Sequence, residues 1–398
     1  MYVTRPLSMY KKFPSALSSL PPEGPNSGIL VIQDEEAEPT CFFGLLKSNV
    51  LRDLPFPQNK NLKLRYVTST GASASVSNHH VSYFYADFIP ALNQPLSSNL
   101  YYVIQTRGSH KGEAYANSTE ADMGSCFCFS YVRDVPPKPL DAKNVHQQFQ
   151  ILPEGKLFQS GGFVAKSIAQ DGFPPKFLGR RGWQVHTSTP HDFKLGDAPG
   201  LDTALRARLP QFNFPLSDKS SHQVGVGRWY SPFMFIREQG SLRDQMSRSM
   251  YYEITLVQSW EQIFACGNNE GGQGNVVAMD VILQSEVVSV AGREAVDVNM
   301  VDGIMWFRAF NEEGGERSAG LDLLVVERMK WEQERVGWVG GKEKQVTVKR
   351  VEEFGGIGGW KKFGFYVLVE RFVVKRMDGS LVLTYDFKHI NQTRSKWE

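Results

Sequence analysis

The chain is poor in the features that most readily betray a function. It has four cysteines in 398 residues, and none of them sits at C-x2-C spacing. Four cysteines without regular spacing fit a reducing compartment better than a disulfide framework. No apolar run approaches the length of a membrane-spanning helix. The opening stretch, MYVTRPLSMYKKFPSALSSLPPEGPNSG, lacks the apolar centre of a signal peptide and begins Met-Tyr rather than Met-Gly. A cytoplasmic protein is expected, with the nucleus as a second compartment. Charge of one sign is scarce too. Lys plus Arg minus Asp plus Glu is 44 − 42 = +2, and no segment carries the basic excess of a nucleic-acid binder.

Catalytic signatures are equally thin. G-x-S-x-G, H-E-x-x-H and an evident Cys/His nucleophile pair are missing. The glycine-rich loop GGIGGWKKFG, residues 355–364, is neither GxxxxGK[ST] nor GxGxxG, because Lys361 takes the last glycine position; a flexible turn is the simpler reading. Cys126-Phe127-Cys128 would direct two thiols to one face of a strand, but a metal needs further ligands. Only Cys41, Cys266 or the His79-His80 pair could supply them, without supporting spacing. These cysteines are read as small buried hydrophobes, and no metal site and no cofactor are expected.

Aromatic residues are plentiful: 26 Phe, 14 Tyr and 8 Trp. They cluster in short β-branched runs bounded by turn formers, such as GILVIQ, LKLRYV, VSYFYADFI, NLYYVIQ and CFCFSYV. From Val276, apolar Val277, Met279, Val281 and Leu283 alternate with polar neighbours, predicting a half-buried antiparallel strand. After Asp378-Gly379 the run LVLTYDFK alternates in the same way, predicting a hairpin. Helices are expected around Ala165 to Ala169, Asp202 to Leu209 (stopped by Pro210) and Ser241 to Met250, the last with an S-x-x-D cap. The fold class is α+β and β-dominated, with mostly antiparallel sheets and a few short helices.

Three regions are expected: 1–150, a β-rich domain with a Pro/Ser-rich extended arm and its first strand at Gly28; 151–226, a mixed helix and loop segment; and 227–398, a β-rich domain built by tandem duplication. The duplication rests on Trp229-Tyr230-x-x-Phe233 recurring as Trp306-Phe307-x-x-Phe310, and on Trp-Glu-Gln at 260–262 recurring at 331–333. Chance likeness among aromatic-rich strands competes with it. A fainter third copy starts at Phe84-Tyr85. Glu253 with Glu327, and Glu261 with Glu332, would then be equivalent carboxylates. Trp260 and Trp331 are expected to be structural anchors at strand ends, the rival being an exposed platform for a sugar.

The stretches MYVTRPLSMY, EGPNSG, DLPFPQNKNL, LDTALRARLPQFNFP and GRWYSPFMFI resemble a plant-specific family of uncharacterised proteins, catalogued as a domain of unknown function. The resemblance covers essentially the whole chain. It implies a land-plant origin and one continuous unit, and carries over no catalytic or binding residue. Some relatives bear a label mentioning an insecticidal crystal toxin, for which these residues offer no basis: the long Ser/Thr-alternating strands of a β pore-former are missing.

Two functional readings follow. The first is a non-enzymatic binding or scaffold protein with a protein or small-molecule partner. The second is a hydrolase or ligand-modifying enzyme with a site around residues 150–225, where His186, His191 and Asp192 flank a Thr-Ser-Thr-Pro turn and could host acid–base chemistry. In the same region Arg180 and Arg181 beside Trp183 could form an anion-binding corner. Loop polarity, and arginines packed on an indole, explain the same residues without a site. A deep pocket lined by His186, His191 and Asp192 would favour the enzyme.

Overall fold

In a computed structural model, residues 1–41, 46–70, 78–126, 129–154, 162–268, 274–339 and 345–398 are described. The protein is a β-dominated α+β chain of mostly antiparallel sheets with short helices. It divides into two compact units. The first comprises 1–198, 232–234 and 240–251, and the second comprises 199–231, 235–239 and 252–398.

The first unit is built on a seven-stranded sheet in the order Gly162–Ser167, Gln148–Glu154, Leu100–Gln105, Asn78–Pro90, Asn61–Thr70, Gln184–Ser188, Val50–Leu51. All its pairings are antiparallel. Period-two alternation sends Phe84, Ala86 and Phe88 to one face, where they join a core centred on Phe56, Phe163 and Trp183. The Trp183 indole stacks on Phe88 at 5.9 Å, and its Nε1 donates to the Leu178 carbonyl at 3.0 Å. Tyr85 and Asp87, the intervening residues, take the other face.

Two expectations for this unit need correction. The N-terminus is not an arm over the surface, and Gly28 does not begin the first strand: Tyr2–Pro6 pairs in parallel with Gly28–Ile32. Tyr2 is buried and donates to the Pro90 carbonyl at 3.0 Å. Its ring requires a glycine at 28, because a Cβ there would sit 2.2 Å from Tyr2 Cε1. Residues 165–169 are not helical either. Gly162–Ser167 is a strand, because pairing along Gln148–Glu154 satisfies backbone groups that a single turn of helix would leave open.

The second unit contains long strands in the order Val224–Pro232, Tyr251–Gly267, Lys362–Arg376, Leu381–Trp397, Glu286–Val290. The hairpin at Asp378-Gly379 is present, with Gly379 at φ 84°. Val276–Gln284 pairs antiparallel with Gln345–Glu353, and Val277, Met279 and Leu283 are buried as their alternation requires. A separate four-stranded sheet runs Ile236–Glu238, Glu316–Asp322, Ile304–Phe310, Asp297–Val301. Its Phe307 and Ala309 point into the core.

This arrangement overturns the duplication. Trp229 lies in the long-stranded sheet and Trp306 in the four-stranded one, with different neighbours. Trp260-Glu261-Gln262 is strand, whereas Trp331-Glu332-Gln333 falls in the helix Leu323–Glu334. The helix is capped by Asp322, whose side chain accepts from the Leu324 N–H at 2.9 Å. Val325, Arg328, Met329, Glu332 and Gln333 then fall on one buried stripe at i, i+3, i+4 spacing. Three identical letters were compatible with either element, and the burial pattern around them chose.

Candidate functional site

A cleft of about 410 Å³ opens in the first unit, lined by residues from five separate stretches of chain, one of them Ser188 with Asp192 and Phe193. Lys63 comes from Asn61–Thr70; Tyr85 and Asp87 come from the outer face of Asn78–Pro90; Arg107 and Lys111 follow Leu100–Gln105; and Arg248 ends the helix Leu242–Arg248. That helix starts as its sequence predicts, with the Asp244 N–H donating to the Ser241 hydroxyl at 3.1 Å. Its last turn is thereby placed over the strands.

The cations are held in place. The Arg107 guanidinium lies 3.7 Å from the Tyr85 ring centroid, and Lys63 Nζ lies 3.7 Å from that of Tyr83. Lys111 Nζ donates to the Ser247 hydroxyl at 2.7 Å. Asp87 differs from them: among the described residues its carboxylate has no hydrogen-bond or ion-pair partner. Burial pushes its pKa up to about 7, with the Lys111 charge pulling the other way. The cleft thus presents four cations around a carboxyl that can accept or donate a proton near neutrality, and its lining contains no histidine and no cysteine.

Of the candidate site residues picked from the sequence, His186, His191, Asp192, Arg180, Arg181 and Trp183, only Asp192 lines this cleft. His186 is on the strand Gln184–Ser188 and does not line the cleft. Burial lowers the pKa of its ring, and the nearby charges of Arg65 and Lys63 push the same way. His191 is exposed in the loop beyond. The three do not form a catalytic cluster. Neither do Arg180, Arg181 and Trp183 make an anion-binding corner. The indole is fully buried, Arg180 faces the Tyr66 ring at 5.3 Å, and Arg181 pairs with Glu154 at 3.4 Å. A residue two or three places along from an exposed arginine is not thereby exposed.

The remaining candidates resolve in the same way. Glu253 is paired with Arg228, and Glu261 with Arg371 at 3.2 Å. The glycine-rich loop is anchored by Trp360, which is buried and whose carbonyl accepts from Asn268 Nδ2 at 3.1 Å. Cys128 lies outside the described residues, as do the side chains of Cys41, Cys126 and His79. Cys266 is a free, half-buried thiol whose pKa burial raises.

One signal in the sequence did point at the cleft. Asp87 interrupts VSYFYADFI, a strand otherwise rich in aromatic and apolar residues, where aspartate is disfavoured. No sequence signal links it to Arg107, Lys111 or Arg248.

Comparison with known proteins adds little about activity. Residues 23–129 match the family model described as "Protein of unknown function (DUF1262)". No curated protein matches the sequence. Among solved structures, the crystal structure of Cry35Ab1 aligns over 86% of this chain and 90% of that chain, with 13% identity and a TM-score of 0.45. Among the described residues, no helix is long and apolar enough to cross a membrane.

Proposed function

We propose that the protein is a non-enzymatic binding protein whose first-unit cleft takes a small ligand bearing both an anionic group and hydroxyls, a sugar phosphate in chemical type. The observation that carries this reading is the unpartnered Asp87 carboxyl among Lys63, Arg107, Lys111 and Arg248. The cations suit phosphate oxygens, and the carboxyl suits a hydroxyl donor. A land-plant origin, a single family unit along the whole chain, and a cytoplasmic or nuclear location belong to the same reading and rest on the sequence resemblance.

The test is a thermal-shift and calorimetric titration of the full chain with glucose 6-phosphate, glucose and inorganic phosphate. Glucose 6-phosphate is expected to raise Tm more than either of its parts, and Lys111→Ala and Arg107→Ala to abolish the rise. No shift with glucose 6-phosphate, or an equal shift in both variants, overturns the reading. Turnover of glucose 6-phosphate by the wild-type chain, lost in Asp87→Asn, would replace it with the enzyme.

A further inference from the structure

In the four-stranded sheet of the second unit, Phe307 and Ala309 point into the core, while the opposite face carries Trp306 and Arg308 beside the buried Ile304. Cross-strand register sets Asn299, Trp306 and Gly320 in one row, with Asp297, Arg308 and Ser318 in the next. Partners in such rows share a face of the sheet, and both rows border a shallow cavity of about 310 Å³. A Cβ on Gly320 would lie 3.1 Å from Cδ2 of Trp306, the fusion carbon of the indole, and 2.5 Å from Ile304 Cγ2. The glycine is therefore what lets the indole lie over the sheet instead of standing off it.

Trp306 is also distinct among the tryptophans. Each of the other seven contacts an aromatic ring or a cation. Trp306 has neither contact among the described residues, and it is only partly buried. Large aromatic side chains normally spend their faces on packing; this one is left beside planar polar groups whose positions are set. Arg308 is held between two carboxylates, Asp297 Oδ2 at 3.3 Å and Glu316 Oε1 at 3.7 Å. The cavity lining sets one cation against two carboxylates, with Arg237 further along the row beyond Gly320 and outside the lining, so the lining disfavours an anionic ligand, in contrast to the cleft of the first unit.

We propose that Trp306, with Asn299, Arg308 and Asp297 around it, is a binding platform for a neutral pyranose. An apolar sugar face carries C–H groups that stack on the indole, while its hydroxyls meet the amide, the guanidinium and the carboxylates. The paired charges supply both donors and acceptors, which suits hydroxyls that must do both. The cavity is at the small end of ligand sites, and fits the end of a glycan or a single ring. The exposed edge strand Asp297–Val301, accessible along its length, leaves room for a longer chain to continue past the platform.

The test uses the full chain on an array of neutral glycans ending in glucose, mannose, galactose or xylose, followed by titration of the strongest hit against tryptophan fluorescence. The expected result is saturable binding that weakens at least tenfold in Trp306→Ala and several-fold in Asn299→Ala, and is partly kept in Trp306→Phe. Thermal melts of the variants check that each is folded; should Trp306→Ala fail to fold, Asn299→Ala and Trp306→Phe decide. Absence of binding to any neutral glycan, or binding unchanged by the folded variants, overturns the proposal. So does preference for sialylated or sulfated glycans included as controls.

Discussion

Arg206 grips Glu370 in a bidentate fork inside the second unit: Nε donates to Oε1 at 2.8 Å and Nη2 donates to Oε2, with the two side chains 5% and 1% exposed. Arg206 Nη2 also reaches the Glu332 carbonyl at 2.8 Å, and Arg328 binds the Glu332 carboxylate. Gln258 completes the set by donating to Glu370 Oε1 at 2.8 Å. Burial pushes both carboxyls upward. For Glu370 the Arg206 fork outweighs burial and the net direction is down, whereas for Glu332 burial wins over the arginines and the net direction is up. The cluster joins the helix Thr203–Arg208 and the helix Leu323–Glu334 to the long strands.

Removing one partner of such a fork strands the other charge in the interior. Arg206→Ala is expected to cost about 3 to 5 kcal/mol in urea unfolding. A loss below about 1 kcal/mol, the range of surface changes, would mean that water enters and relieves Glu370.

His389 gives the second unit a pH dependence. Its Nε2 lies 2.8 Å from Gln333 Oε1, and burial, opposed by Glu370 and assisted by Arg206, lowers its pKa from the ordinary 6.5 to about 4. The unfolded chain therefore binds a proton that the folded chain refuses between those values, and stability falls as pH drops from about 6.5 towards 4. His389→Asn should flatten that part of the stability profile measured by denaturant titration at stepped pH.

Asp87 gives the opposite slope. Its folded pKa of about 7 stands above the ordinary 3.8, so the folded state holds the extra proton and stability falls as pH rises through that interval, levelling above it. The facing charges are Lys63, Arg107, Lys111, Arg248 and Asp192, with Tyr251 buried nearby. Asp87→Asn should remove the slope and raise Tm at pH 8 relative to wild type. Glucose 6-phosphate affinity should strengthen on acidification through pH 7 in the wild type and not in the variant.

Trp260 and Trp331 should part company. Trp260 is 1% exposed, donates from Nε1 to the Pro210 carbonyl at 2.9 Å and packs on Phe212. Trp260→Ala is expected to cost about 3 to 5 kcal/mol. Trp331 lies half-buried on its helix between Arg328 and Arg335, 4.8 and 4.7 Å from the ring centroid, so its loss should cost about 1 to 2 kcal/mol. Urea unfolding of the two variants side by side measures the difference, and equal costs would count against it.

Features encoded within a few residues were legible from the letters alone. The alternation from Val277 to Leu283, the Asp378-Gly379 turn, the Ser241 cap and the helix before Pro210 depend on side-chain period, backbone φ and capping, which are local properties. The same reading failed where local preference is weak. Trp-Glu-Gln became strand at 260 and helix at 331 because the residues packing around each decided it. Ala165 to Ala169 was drawn towards strand by a pairing partner, and Trp183 was drawn inward away from the arginines beside it. The cleft was least legible of all. Asp87 stands out in its strand, but Lys63, Arg107, Lys111 and Arg248 come from stretches far apart along the chain, and nothing in short-range chemistry relates them. Their convergence follows from strand register and from where one helix packs, which long-range burial sets and neighbouring residues do not.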